Sequence, residues 1–250
     1  MRKILVLLML LIFVAPWLAP LDPYRSSGMA WQPPDGRFWF GTDGMGRDVL
    51  SRTLNGGRMM LLLPLVGTLL SSAFGVTMGL LLAGMPGRGR RGVVALDAVL
   101  IVPPLLVVFI VLYGVGADWR SLLIALLLLN VPFTARYIRS LADPLLDSGY
   151  VESAIAAGDG MLRVLYREVL PGLWSGILAD AGIRLVSAMY LIASVSFLGV
   201  VVPGTHDGWA MMVREALPGI MLNPLAVVAP VLCIALTVVI FNLGVDRWQR

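Results

Sequence analysis

Long apolar runs separated by short polar intervals set the pattern of this chain. The first runs from Ile4 to about Leu18, behind Arg2 and Lys3. Five more follow: Arg58 to Met85, Val93 to about Gly114, Ser121 to about Ile138, Gly172 to about Leu198, and Asn223 to about Gly244. Each of the five is long enough to cross ~30 Å of hydrocarbon as a helix, which takes ~20 residues. The pattern therefore predicts an all-α polytopic membrane protein of about six spans. It reads as one membrane domain over 1–250, with a first span over 4–20, an external segment over 21–57 and a five-helix core over 58–250. The first run also has the basic start and short apolar stretch of a signal peptide. Its end, Leu18-Ala19-Pro20, matches a small-x-small cleavage site poorly, so the preferred reading is an uncleaved span with a cytoplasmic N-terminus. Either reading places the next segment outside.

Composition agrees with the pattern. At 58% hydrophobic and 14% charged residues, with mean hydropathy +0.87, the chain falls outside the soluble range. Its single cysteine, Cys233, excludes an internal disulfide and a cysteine-based metal cluster. The net charge of +4 is spread over loops rather than gathered in a stripe, which argues for membrane orientation and against nucleic-acid binding. The basic loop Arg88-Gly89-Arg90-Arg91, the polar interval 143–171 and both termini are assigned to the cytoplasm. With Arg136 and Arg139, just ahead of that interval, eleven Lys or Arg then lie inside and seven outside, with Arg184 in the membrane, in accord with the positive-inside rule. The turn Gly114 to Trp119 and the loop Val201 to Leu222 complete the external face. His206, beside Asp207 in that loop, has too few neighbouring ligands for a metal site and reads as a solvated histidine.

The interval from Asp143 to Pro171 is the one long polar stretch that reads as ordered. Asp143 is a good N-cap and Pro144 suits the first helical position, so a helix is expected from here to about Ala157. Gly158 ends it, and Asp159-Gly160 make a turn. A second short helix carries Met161, Leu162, Leu165 and Val169 inward, with Arg163 and Arg167 at i,i+4, and Pro171 stops it.

Glu152, Ala154, Gly158 and the Leu170-Pro171 end resemble the EAA loop of ABC importer permeases, whose cytoplasmic coupling helices dock on an ATP-hydrolysing subunit. The wider wording, from Tyr150-Val151-Glu152 through Gly158 and Leu162-Arg163 to Leu170-Pro171, is similar to the second permease of the dipeptide, oligopeptide and nickel group. Ser153 departs from the motif, standing where its first Ala is usual. The resemblance implies the type I importer permease fold, with Glu152, Ser153, Ala154, Gly158, Arg163 and Pro171 in the coupling loop. Glu152 is expected to make a surface contact, and Gly158 a turn where a side chain would clash. The alternative is that any amphipathic hairpin between two spans would look like this.

A second stretch carries the same resemblance. Gly41-Thr42-Asp43-Gly44-Met45-Gly46-Arg47-Asp48-Val49-Leu50-Ser51-Arg52 is similar to the GTDxxGRDxxSR signature that precedes the second span in those permeases. Its glycines permit tight turns, and Asp43, Arg47, Asp48 and Arg52 can pair in a small charged network, with Asp48 and Arg52 at i,i+4 if helical. Two readings stay open: a solvated turn, or a part in docking the external binding protein.

Within the spans, Pro64, Pro103-Pro104, Pro132 and Pro230 each remove a backbone hydrogen bond and bend their helix, as hinges or as fixed shape. Asp180 and Arg184 share one face of the fifth span at i,i+4, and pairing lowers the cost of burying either. The resemblance implies a place near the translocation pathway; a purely structural ion pair is the alternative. Asp97 reads as a boundary residue. Ser194-Val195-Ser196-Phe197-Leu198-Gly199 resembles the family's SLSFLG stretch and makes Ser194 and Ser196 pathway candidates, although Ile192 stands where an acidic residue is expected.

The only lysine is Lys3, so the chain has no Walker A sequence, and HExxH and GxSxG are also missing. Half of a secondary transporter is the rival class. The coupling loop separates the two, and a scaffold or insertion-assisting membrane protein explains neither motif. The resemblance implies a non-enzymatic, multi-pass permease of the bacterial inner membrane. It would work in the lipid bilayer with a second similar permease, two cytoplasmic subunits that bind ATP and Mg, and an extracytoplasmic binding protein. No cofactor is expected on this chain. The expected cargo is di- or oligopeptide, with nickel or a metal chelate as the alternative.

Overall fold

The computed structural model describes residues 14–85, 88–200 and 208–246. Most of the expected first span and His206 lie outside them; of that span, Ala15–Leu18 forms one 3-10 turn. The described helices are α1 (Val49–Ala83), α2 (Arg88–Leu100), α3 (Pro104–Val115), α4 (Trp119–Leu146), α5 (Gly149–Ala156), α6 (Met161–Val164), α7 (Trp174–Phe197), α8 (Trp209–Ala216) and α9 (Leu225–Asp246). Helices α1, α4 and α7 are each long and apolar enough to cross a membrane. The α2–α3 pair counts as a fourth only if taken as one bent span, and α9 supplies a shorter apolar stretch over Leu225–Phe241.

The single rod expected from Val93 to Gly114 is instead two helices meeting at 82°. Two adjacent prolines explain the break. Neither has an N–H, the first is held extended at φ −54°, ψ 130°, and the second opens α3 at a position where no donor is missed. The isolated prolines Pro64, Pro132 and Pro144 stay inside their helices, as does Pro230.

By contact the chain divides into two compact units. One takes in the described residues up to Pro64, with 117–119 and 189–244; the other takes in 65–116 and 120–188, with the remaining C-terminal end. In the first, Val49, Ala216 and Ala226 form a small core with Trp31 and Phe40 against it. In the second, Leu80, Ile138, Ala142, Val151, Val164, Val169, Leu173 and Ile177 form one buried cluster. Close approach of α1 to α4 depends on two glycines one turn apart. A Cβ on Gly75 would lie 2.6 Å from the Thr134 Cβ, and one on Gly79 would lie 2.5 Å from the Ala135 carbonyl oxygen.

Candidate functional site

The hairpin over 143–171 belongs to the second unit, and its start differs from the expectation. Asp143 and Pro144 do not open a helix; α4 runs through them to Leu146. The Asp143 carboxylate turns back one helical turn to Arg139, 3.6 Å away. Buried Ala142, with Leu141, Leu145 and Leu146 packed on the cluster, holds the last turn of α4 in place. Helix α5 starts only after Ser148, whose carbonyl accepts from the Val151 and Glu152 N–H groups.

The end of α5 is as expected, for a reason that can be read atom by atom. Gly158 has φ +92°, its N–H donates to the Ile155 carbonyl, and the Asp159 N–H donates to the Ala154 carbonyl. This is the paired closure of a Schellman motif, with the left-handed residue at the position that favours glycine. The expected clash is not found within the chain: nothing lies within 4 Å of a Cβ built on Gly158. Its constraint is backbone conformation.

Beyond the turn, Arg163 pairs with Asp159 at 2.7 Å, while Arg167 lies 3.9 Å from Glu168. Leu165 and Val169 point inward as expected, but Met161 and Leu162 are exposed and Val164 is buried in their place. A wide π-turn over Leu165–Val169 follows directly. Pro171 does not stop a helix. It sits at the start of another helical turn, Leu170–Gly172, that leads into α7. The hairpin thus buries Val151 and Val164 and exposes Tyr150, Glu152, Ser153 and Ile155, with Ala154 half-buried.

The motif over 41–52 lies in the first unit, and it is no solvated turn: Thr42, Asp43, Asp48, Ser51 and Arg52 are all buried. Asp48 bridges to Thr42 and caps α1. Its Oδ2 accepts from the Ser51 N–H at 2.8 Å and from the Ser51 hydroxyl at 2.6 Å, which starts the helix nine residues before Arg58. Asp43 Oδ1 accepts from the Met45 and Arg47 N–H groups. Its Oδ2 accepts from Arg47 Nε at 2.7 Å and Arg52 Nη1 at 2.6 Å. Gly41 and Gly46 have φ +70° and +73°; a Cβ on Gly46 would sit 2.2 Å from the Gly28 carbonyl oxygen.

Three partners of this network were not anticipated. Glu215 of α8 accepts from Arg47 Nη2 and Arg52 Nη1, both at 3.0 Å. Asn223 donates from Nδ2 to the Phe40 and Thr42 carbonyls at 3.0 Å, and Trp209 Nε1 donates to the Thr53 carbonyl at 2.7 Å. Backbone N–H groups of Phe38 and Arg37, donated to Asp35, hold its carboxyl below the usual range.

In the second unit, the Asp180–Arg184 pair forms as expected, with Arg184 Nε 3.2 Å from Asp180 Oδ1. Both groups have further partners. Thr134 of α4 donates to Asp180 Oδ2 at 2.5 Å, and the Arg184 guanidinium lies 4.9 Å from the centre of the Phe133 ring. In the first unit, Ser196 is buried with Ile192, while Ser194 donates to the Tyr190 carbonyl at 2.9 Å. Ser194 lines an apolar groove of about 360 Å³ with Tyr190, Phe197 and Val231. Asp97 pairs with Arg136 at 2.9 Å.

Residues 75–250 match the family described as the inner membrane component of binding-protein-dependent transport systems. The glutathione transport system permease protein GsiD of Pectobacterium atrosepticum is 30% identical over 94% of this chain and 80% of its own length. The di/tripeptide transport system permease protein DppC of Pseudomonas aeruginosa is 31% identical over 97% of this chain and 84% of its own. An inward-facing structure of the MetNI methionine ABC transporter superposes with a TM-score of 0.65 at 18% identity, over 80% of this chain and 95% of that one, a likeness of fold. With a family match over residues 75–250 and relatives aligned along nearly its whole length, the chain belongs to the inner membrane components of binding-protein-dependent transport systems, as a permease subunit of an ABC importer.

Proposed function

We propose that this permease forms half of the pathway of an importer for short peptides, and that α5 with its closing turn receives motion from an ATPase. The observation that carries the reading is the two-faced hairpin. Val151, Val164 and Val169 lock it into the core of the second unit, while Tyr150, Glu152, Ser153 and Ile155 face outward. A small rigid body of this kind transmits a push to α4 and α7, into which it runs. The reading includes a second similar permease, two ATP- and Mg-binding subunits at the cytoplasmic face, both termini on that face, and no reaction catalysed by this chain. The binding protein would meet the external cleft lined by Asp22, Arg25, Gln32, Asp35 and Arg37. Glutathione and di/tripeptides, the cargoes named for the relatives, define the class proposed.

Uptake of a labelled dipeptide, labelled glutathione and radioactive nickel ion, compared in cells with and without the chain, tests this. Dependence of either peptide on the chain supports the reading; dependence of nickel alone overturns it. We place Asp180 and Arg184 beside the pathway. Arg184→Gln is expected to lower uptake at least about tenfold, a barrier of ~1.4 kcal/mol, while the complex still assembles. Loss of the assembled complex would make the pair structural instead.

A further inference from the structure

We propose that the second unit carries a binding site for one anionic phospholipid, its phosphate on Arg139 and an acyl chain in the groove between α1, α2 and α4. The inference rests on the membrane placement of these helices and not on cargo or coupling. The groove holds about 660 Å³ and is lined by Phe74, Met78 and Leu82 of α1, Leu96 and Val99 of α2, and Leu128 of α4, among others. Its one hydroxyl, on Thr77, is already donated to the Ala73 carbonyl, so the surface it offers is apolar throughout. From Phe74 to Leu82 it follows α1 for about 12 Å, at 1.5 Å per residue.

Arg139 stands beyond one end of the groove. Its Nη1 is buried and has no hydrogen-bond partner, and its Nε is 3.6 Å from Asp143, too long for a full hydrogen bond. A Cβ on Gly89 would lie 3.0 Å from that Nη1 and 2.0 Å from the Leu82 carbonyl oxygen. The guanidinium is therefore pressed between the first turn of α2 and the α1 end of the groove. Among the described side chains of these facing stretches, Arg91, Arg136 and Arg139 outnumber Asp97 and Asp143. Arg91 stands in the first turn of α2, where the helix dipole already favours an anion. Depth fits a phosphate. Arg139 lies twenty residues along α4 from Trp119, ~30 Å, the thickness of the hydrocarbon core, with Trp119 exposed as an interfacial tryptophan would be. A positive surplus at headgroup depth, an orphaned guanidinium N–H and an apolar trough beside it match an anionic phospholipid.

Native mass spectrometry of the whole importer, released from detergent with equal phosphatidylglycerol and phosphatidylcholine, tests the site. One phosphatidylglycerol should be retained per copy of this chain in preference to phosphatidylcholine. Arg139→Gln should lower that retention about fivefold, the factor matching ~1 kcal/mol per interfacial arginine, and Arg139→Lys should recover most of it. Leu128→Trp, placed at an exposed groove residue, tests the trough independently and should lower retention with Arg139 intact. Equal retention of the two lipids, retention unchanged in both Arg139→Gln and Leu128→Trp, or crosslinking of Val99 to another subunit across the groove would overturn the proposal.

Discussion

Arg52→Met is expected to abolish the folded segment ahead of α1, with a loss of ~3–5 kcal/mol, the cost of removing one partner from a buried ion pair. Arg52 is 1% exposed, and its Nη1 donates to Asp43 at 2.6 Å and to Glu215 at 3.0 Å. Asp43 is itself buried, and it organises the turn through its two backbone acceptor contacts. Two carboxylates and two guanidinium groups balance; without Arg52, both acids fall to Arg47. The penalty then acts on an uncompensated buried charge, not on a lost surface contact, so salt screens it little. The check is the thermal unfolding midpoint of the purified importer, followed by tryptophan emission, since Trp209 and Trp31 pack in this unit. Arg47→Met, at a position 15% exposed, should cost less, and Arg52→Met with Glu215→Leu should be milder than Arg52→Met alone. A midpoint for Arg52→Met equal to the native one would sink the account.

The difference between what was legible in the residues and what was not has a physical pattern. Continuous apolar runs have one low-energy answer in a membrane, so α1, α4 and α7 could be read directly. The turn at Gly158 could be read as well, because a left-handed position after a helix favours glycine. Local competition was harder. At Asp143-Pro144 a good cap signal lost to the packing of Ala142 and Leu145, which needed the rest of the cluster to be seen. In the second helix of the hairpin Met161 and Leu162 are exposed and Val164 buried, ahead of a five-residue π-turn of which periodicity of 3.6 carries no warning. Non-local partners were illegible. Glu215 lies 163 residues from Arg52, and Thr134 lies 46 from Asp180. The one available signal was arithmetic: once Asp48 is spent on capping α1, Asp43 alone faces Arg47 and Arg52, and a second acid must come from elsewhere.

Gly158→Val is expected to leave the permease assembled and ATP hydrolysis running while peptide uptake falls about 5- to 30-fold. At the φ of +92° found for Gly158, a β-branched residue is strained by ~1–2 kcal/mol. That strain is small beside the stability of a folded domain, so the chain should still be made. It is large beside the difference between two positions of a short helix, and as a population ratio ~1–2 kcal/mol is the stated factor. The α5 end would relax by giving up the paired bonds from Gly158 and Asp159, and the exposed face from Tyr150 to Ile155 would no longer hold one orientation towards the ATPase proposed to dock there. A Cβ here has open space around it, so backbone conformation is the first constraint the substitution meets. Gly158→Asn separates the remaining causes, since asparagine tolerates the left-handed region. Recovery of uptake in Gly158→Asn assigns the effect to backbone geometry, whereas failure of Asn and Val alike assigns it to the surface of the docked subunit. Native uptake in Gly158→Val would remove this turn from the coupling path.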